Sequence, residues 1–100
     1  MKTNKSRSMI GLLLPARLEV RYDRTFLIDL KSLESTAFQK VQQFVFGEFF
    51  QIIQLQDLHE FQTLGSSEIL YRFTLDSYLI SIEITGQIVK FLRILPKPNI

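Results

Sequence analysis

Few side chains in this sequence could do chemistry. His59 is the only histidine and there is no cysteine. That removes disulfides, thiolate metal sites and thiol nucleophiles. A transition-metal site would have to be built mostly from carboxylates, an unfavourable donor set. There is no Gly-rich phosphate loop, no Ser/His/Asp order and no carboxylate pair that stands out. Neither a metal nor a cofactor is therefore expected. What remains is cationic. Arg72 and Arg93 lie in stretches that read as strands, where an arginine beside apolar neighbours most simply covers sheet with its stem. Lys97 stands between Pro96 and Pro98, which hold it extended near the end of the last strand. His59, between Asp57 and Glu60, reads as a solvated loop residue. Tyr78, next to Leu79 and Ile80, reads as hairpin packing.

The elements that must position these residues follow from periodicity. Leu18-Glu19-Val20-Arg21-Tyr22 alternates apolar and polar and predicts a half-buried strand. Asp23 can cap a helix carrying Phe26, Leu27, Leu30 and Leu33 at helical spacing. Ser35 is the cap expected for a second helix, with Phe38, Val41, Phe44 and Val45 on one face, ending at Gly47 or a turn beyond. The two make an αα-hairpin. Between Glu48 and Leu64 the apolar residues fit either a continued helix or a short strand, and Leu55, Leu58 and Phe61 at spacing three suggest a helical turn. Gly65-Ser66-Ser67 reads as a turn. Three strands follow, 69–75, 78–85 and 88–95, joined at Asp76-Ser77 and Gly86-Gln87 by two-residue hairpins. The expected architecture is α+β. An N-terminal strand and αα-hairpin pack on a twisted antiparallel sheet that ends in a three-stranded meander. The first strand's nearest candidate partners are the last strands of that meander.

One hundred residues, 46% of them hydrophobic, make one domain with a real but modest core. The formal charge of +2 hides an asymmetry. Lys2, Lys5, Arg7 and Arg17 precede Leu18 and no acid does, so the body carries eight bases against ten acids. A slightly acidic body is a poor electrostatic match for nucleic acid. Residues 1–17 read as a basic N-terminal tail and 18–100 as the domain. The apolar run Met9-Ile10-Gly11-Leu12-Leu13-Leu14 stops at Pro15, too short for a bilayer span and without a cleavage site of the leader type. Nine phenylalanines are many for so small a core, and apolar surface left over marks a partner site.

Three segments resemble the RelE/ParE superfamily of toxins. Val20-Arg21-Tyr22-Asp23-Arg24-Thr25-Phe26-Leu27-Ile28-Asp29-Leu30-Lys31-Ser32-Leu33 is similar to that family's V-x-Y-x-x-x-F-x-x-D-L-x-x-L approach to its helical hairpin. Tyr71-Arg72-Phe73 with Asp76-Ser77-Tyr78-Leu79-Ile80 resembles its Y-R-I-R-x-G-D-Y-R-I hairpin. Gln87 to Leu95 resembles its last strand, written V-x-x-L-R-V-x-H-R. The resemblance spans Leu18 to Leu95, and order and spacing carry it more than any single piece.

The resemblance implies the toxin of a type II toxin–antitoxin system, acting in a bacterial cytoplasm and silenced by a cognate antitoxin. Members either cut messenger RNA on the ribosome or poison DNA gyrase, and no membrane is involved. In the nucleases, a 2′-hydroxyl attacks the adjacent phosphate, cations stabilise the growing negative charge, and another group moves a proton. Carried over, the site residues are Arg72, Arg93 and Lys97, with Lys90 nearby. Three departures point to weakened cleavage. Leu79 stands where an arginine is usual, which removes a charge and five donors. Pro96-Lys97 replaces the H-R pair, and no tyrosine follows before Ile100. A gyrase-directed toxin, which needs no nuclease residues, and a non-catalytic interaction remnant of the fold are the alternatives. The charge asymmetry also yields a test of the tail. Protein starting near Arg17 should keep its cooperative melt, and a loss above about 3 kcal/mol, the scale of one core side chain, would show that Leu12–Leu14 are buried.

Overall fold

The computed structural model describes residues 18–52 and 54–98. The expected tail, 1–17, lies outside them. The chain runs β1 (Glu19–Tyr22), α1 (Arg24–Lys31), α2 (Ser35–Phe46), two 3-10 turns (Glu48–Gln51 and Leu55–Asp57), β2 (Gln62–Thr63), β3 (Leu70–Leu75), β4 (Tyr78–Thr85) and β5 (Ile88–Pro96).

Each helix boundary has a local cause. The Asp23 carboxylate accepts from the Thr25 N–H at 3.1 Å and starts α1. Phe26 and Leu30, four apart, are its buried side. The second cap is Glu34, not the expected Ser35. The longer carboxylate accepts from both Thr36 N (3.1 Å) and Ala37 N (3.0 Å), which leaves Ser35 as the first helical residue. Ala37, Val41 and Val45 form the buried stripe of α2. The helix stops at Gly47, where a Cβ would come within 2.8 Å of the Gln43 carbonyl oxygen. The ambiguous stretch becomes neither a continued helix nor one strand. It folds as the two 3-10 turns and ends in the short β2. The spacing of three between Leu55 and Leu58 suits such a turn, where residues i and i+3 eclipse, and both are buried.

The five strands form one sheet in the order β1-β5-β4-β3-β2. The meander β3-β4-β5 is antiparallel, as expected. The first strand joins β5, but in parallel, pairing Glu19–Tyr22 with Ile88–Phe91, so the sheet is mixed. After β1 the chain crosses through the helices before it returns, and this leaves the two strands pointing the same way. Gly86 has φ +58°, the conformation needed at the first position of a tight hairpin, and Asp76 takes the same one. In β4 and β5 the register shifts between Ser81 and Ile82, so Ser81 faces Arg93 and Ile82 faces Phe91, with Leu92 as the extra residue of a bulge.

Both helices pack on one face of the sheet. The layer between them is aromatic. Phe91 is fully buried, with ring centroids at 5.3 Å from Phe26, 5.1 Å from Phe49 and 5.5 Å from Tyr22. Tyr22 also meets Phe46 at a tilt, with ring centroids 4.7 Å apart, and donates its hydroxyl to the Val45 carbonyl at 3.1 Å, joining β1 to α2. Phe91→Ala would open a cavity at the centre of this layer. It should lower unfolding free energy by about 3–5 kcal/mol. Urea unfolding with an unchanged slope checks this, and a midpoint equal to that of the parent protein would contradict it.

Candidate functional site

Strand alternation sends Phe73 of β3 and Ile80 of β4 into the core. It turns Arg72 and Ser81 to the opposite, helix-free face. The pairing register then lines up Gln62, Arg72, Ser81 and Arg93 as one row across four strands. The next row holds Thr74, Leu79 and Leu95. Leu79, at the position where the resembled family has an arginine, is half-buried there.

At one end of these rows a cleft of about 570 Å³ is lined by Glu60, Phe61, Gln62, Arg72, Lys97 and Pro98. Two of the three expected site residues, Arg72 and Lys97, therefore share one cavity. The end of β5 is positioned by Lys97 itself, whose backbone N–H donates to the Ser77 carbonyl at 2.8 Å. Its ammonium lies 3.1 Å from the Glu60 carboxylate. That ammonium holds the Glu60 carboxyl below the ordinary glutamate range. Glu60 sits at φ +53°, an uncommon conformation for a residue with a Cβ. His59 is exposed, with its ring nitrogen 3.9 Å from the other Glu60 oxygen. Its carbonyl accepts from the Thr74 N–H at 2.8 Å and the Thr74 hydroxyl at 3.3 Å, which pins the loop against β3. Among the described residues Arg72 enters no salt bridge.

Arg93 lies elsewhere, outside the lining of the cleft. Its guanidinium grips Asp29 of α1 through two bonds, Nε at 2.7 Å and a terminal nitrogen at 3.3 Å. Asp29 also accepts from the Ile94 N–H at 2.9 Å. Burial works against ionisation of Asp29, whose side chain is 17% exposed, but the bonds from Arg93 and Ile94 outweigh it and hold the carboxyl below its ordinary value. The same contact raises the pKa of the Arg93 guanidinium. Asp29 and Glu60 are the residues that the sequence reading left out of the site. Asp29 carried a signal, an acid set three residues after Phe26 and just before Leu30 on the buried side of a helix. Glu60 carried none, because its partner lies thirty-seven positions away and only the fold brings them together.

Among the described residues no group of three His, Asp or Glu could hold a metal ion. No described helix is long and apolar enough to cross a membrane.

Comparison with solved structures places this architecture among toxins of toxin–antitoxin pairs. A chain of the RelB–RelE antitoxin–toxin complex from Methanococcus jannaschii superposes with a TM-score of 0.62 at 21% identity, covering 76% of this chain and 88% of that one. A chain of the RelE–RelB complex from Pyrococcus horikoshii OT3 gives 0.63 at 16% identity, covering 83% and 98%. The isolated Escherichia coli RelE toxin gives 0.63 at 12% identity, covering 84% and 88%. Neither protein-family models nor curated proteins provide a match. The fold of this chain is that of the RelE-type toxins, the fold class the resemblance pointed to, with two helices on a five-stranded sheet that is mixed rather than antiparallel throughout.

Asp29→Asn keeps the shape of the clamp and removes its charge. It should cost about 1–2 kcal/mol at pH 7, the low side for charge-assisted bonds because Arg93 is half-exposed. The Asp29 carboxyl is depressed below the ordinary 3.8, so its stabilisation is complete above that value and is lost as pH falls through the lowered one. The variant should therefore lack this part of the acid-side decline. Urea midpoints that run parallel for both proteins from neutral to acid pH would contradict the assignment.

Proposed function

We propose that this chain is the toxin of a toxin–antitoxin pair, held by a protein antitoxin, with an RNA-cleaving centre that is weak. The observation that carries the second half is the pairing of the cations. Lys97 is engaged by Glu60 and Arg93 by Asp29, while Arg72 enters no described salt bridge. A phosphorane forming from a 2′-hydroxyl attack needs positive charge placed beforehand. Two of the three candidate cations already have carboxylate partners. Leu79 adds an apolar side chain where a further cation would be useful. The antitoxin half is supported by the RelE chains solved in complex with RelB. It is also supported by apolar side chains left uncovered on the helical side: Ile28 is 53% exposed, Phe46 44% and Phe50 53%.

Expression without antitoxin, with messenger RNA followed directly, tests the reading. Cleavage by the unaltered protein should be slow and growth little affected. Leu79→Arg should raise ribosome-dependent cleavage about tenfold or more, part of the ~10²–10³ that one preorganised group commonly supplies. Robust cleavage by the unaltered chain, abolished by Arg72→Ala or Arg93→Ala, would overturn the weak-centre reading. Growth arrest with intact messenger RNA would favour the gyrase-directed alternative.

A further inference from the structure

The cleft contains a part that charge stabilisation does not use. Phe61 lines it, and one face of that ring is stacked on Tyr71, with centroids 5.2 Å apart and planes 9° from parallel. Tyr71 is itself anchored, its hydroxyl donating to the Glu68 carbonyl at 3.0 Å, and it packs against the core. Phe61 is half-buried and thus a supported aromatic plate rather than a loose side chain. Beside it the cleft presents Arg72, and Gln62 pairs with Arg72 across β2 and β3. Two cations against one carboxylate, Glu60, leave a single net positive charge, which suits one phosphate group. The volume falls within the ~300–1,000 Å³ of small-ligand sites.

We infer that this cleft holds one ribonucleotide unit, its phosphate on Arg72 and its base stacked on Phe61. Aromatic stacking contributes about 1–3 kcal/mol per base and tolerates any sequence, because every base has a π-face. The plate therefore retains RNA even where the cations are too compromised to cut it quickly. Binding and cleavage are separate properties of this cleft. The inference rests on reading the cleft as the phosphodiester site of the proposed RNA-cleaving centre, and it adds the residue that grips the base, Phe61.

The test uses the full chain with adenosine 3′-monophosphate and with inorganic phosphate as probes, followed by calorimetry and NMR. The nucleotide should bind about tenfold tighter than phosphate or better. Its base should shift the Phe61 ring protons upfield, and phosphate should not. Phe61→Leu should bring nucleotide affinity down towards that of phosphate while leaving phosphate affinity unchanged, and Arg72→Gln should weaken both. A nucleotide no tighter than phosphate, or a Phe61→Leu protein that keeps the full difference, would overturn the inference. If Phe61→Leu lowers the melting temperature, the ring-proton shift in the unaltered protein decides. Nucleotide binding without RNA cleavage, even in Leu79→Arg, sinks the nuclease reading and not this one. Cleavage with no gain of nucleotide over phosphate sinks this one alone.

Discussion

Beyond Tyr22 the first strand is spent, and the outer edge of β5 would be left with unpaired backbone groups. Helix α1 takes over there. The Asp23 N–H donates to the Phe91 carbonyl at 2.8 Å, the Thr25 hydroxyl reaches the Leu92 carbonyl at 3.4 Å, and the Asp29 carboxylate receives the Ile94 N–H. One helix thus continues the edge pairing that a strand began. The contact also sets the height of α1 over the sheet, because Phe26 and Leu30 descend into the core from the same face that carries Asp29. Arg93 completes the clamp. It follows a bulge in β5, and its guanidinium closes on the side of a carboxylate that already has a backbone partner. A residue that resembles a catalytic arginine is here bound up in holding the two layers together.

The aromatic layer explains why so small a domain carries so many phenylalanines. Phe26, Phe49, Phe73 and Phe91 are buried; Phe91 meets Phe26 at a tilt and Phe49 edge-on, and Phe73 meets the half-buried Phe44 at a tilt, arrangements that favour the ring quadrupoles. Flat β-branched packing alone would leave gaps between two short helices and a twisted sheet. Large rings fill that space with few residues. Phe46 and Phe50 lie at the margin of the layer, one against Tyr22 and the other against Phe49, and both keep about half of their surface exposed. The core thus runs out into an apolar surface on the helical side, while the cationic cleft lies towards the opposite side of the sheet. Two sides of one thin domain present different chemistry.

Charge pairing gives the cleft its character. Glu60 and Lys97 come from a loop and a strand end, and each is about half-exposed, so the pair adds little to stability. Its consequence is electrostatic. It offsets one of the two cations that a phosphate would meet, in a body whose acids outnumber its bases. Phe61 adds binding that charge pairing does not weaken.

Much of this was determined by the sequence itself. Period-3.6 spacing of Phe26 with Leu30, and of Val41 with Val45, specified the helices, and alternation with tight turns at Asp76 and Gly86 specified the meander, because those signals are local. The order of Tyr22, Asp29, Arg72 and Arg93 was enough to suggest the fold class. The tertiary structure decided what depends on distance along the chain. It made β1 parallel to β5, set a bulge at Leu92, and broke the segment after Gly47 into 3-10 turns, so that Phe49, Leu55 and Leu58 could all reach one core. It also decided the partners of the cations. Arg93 found Asp29 sixty-four residues away and Lys97 found Glu60, leaving Arg72 beside Phe61. No local pattern encodes such pairings, since a charged side chain takes the partner that packing of the whole chain brings within reach.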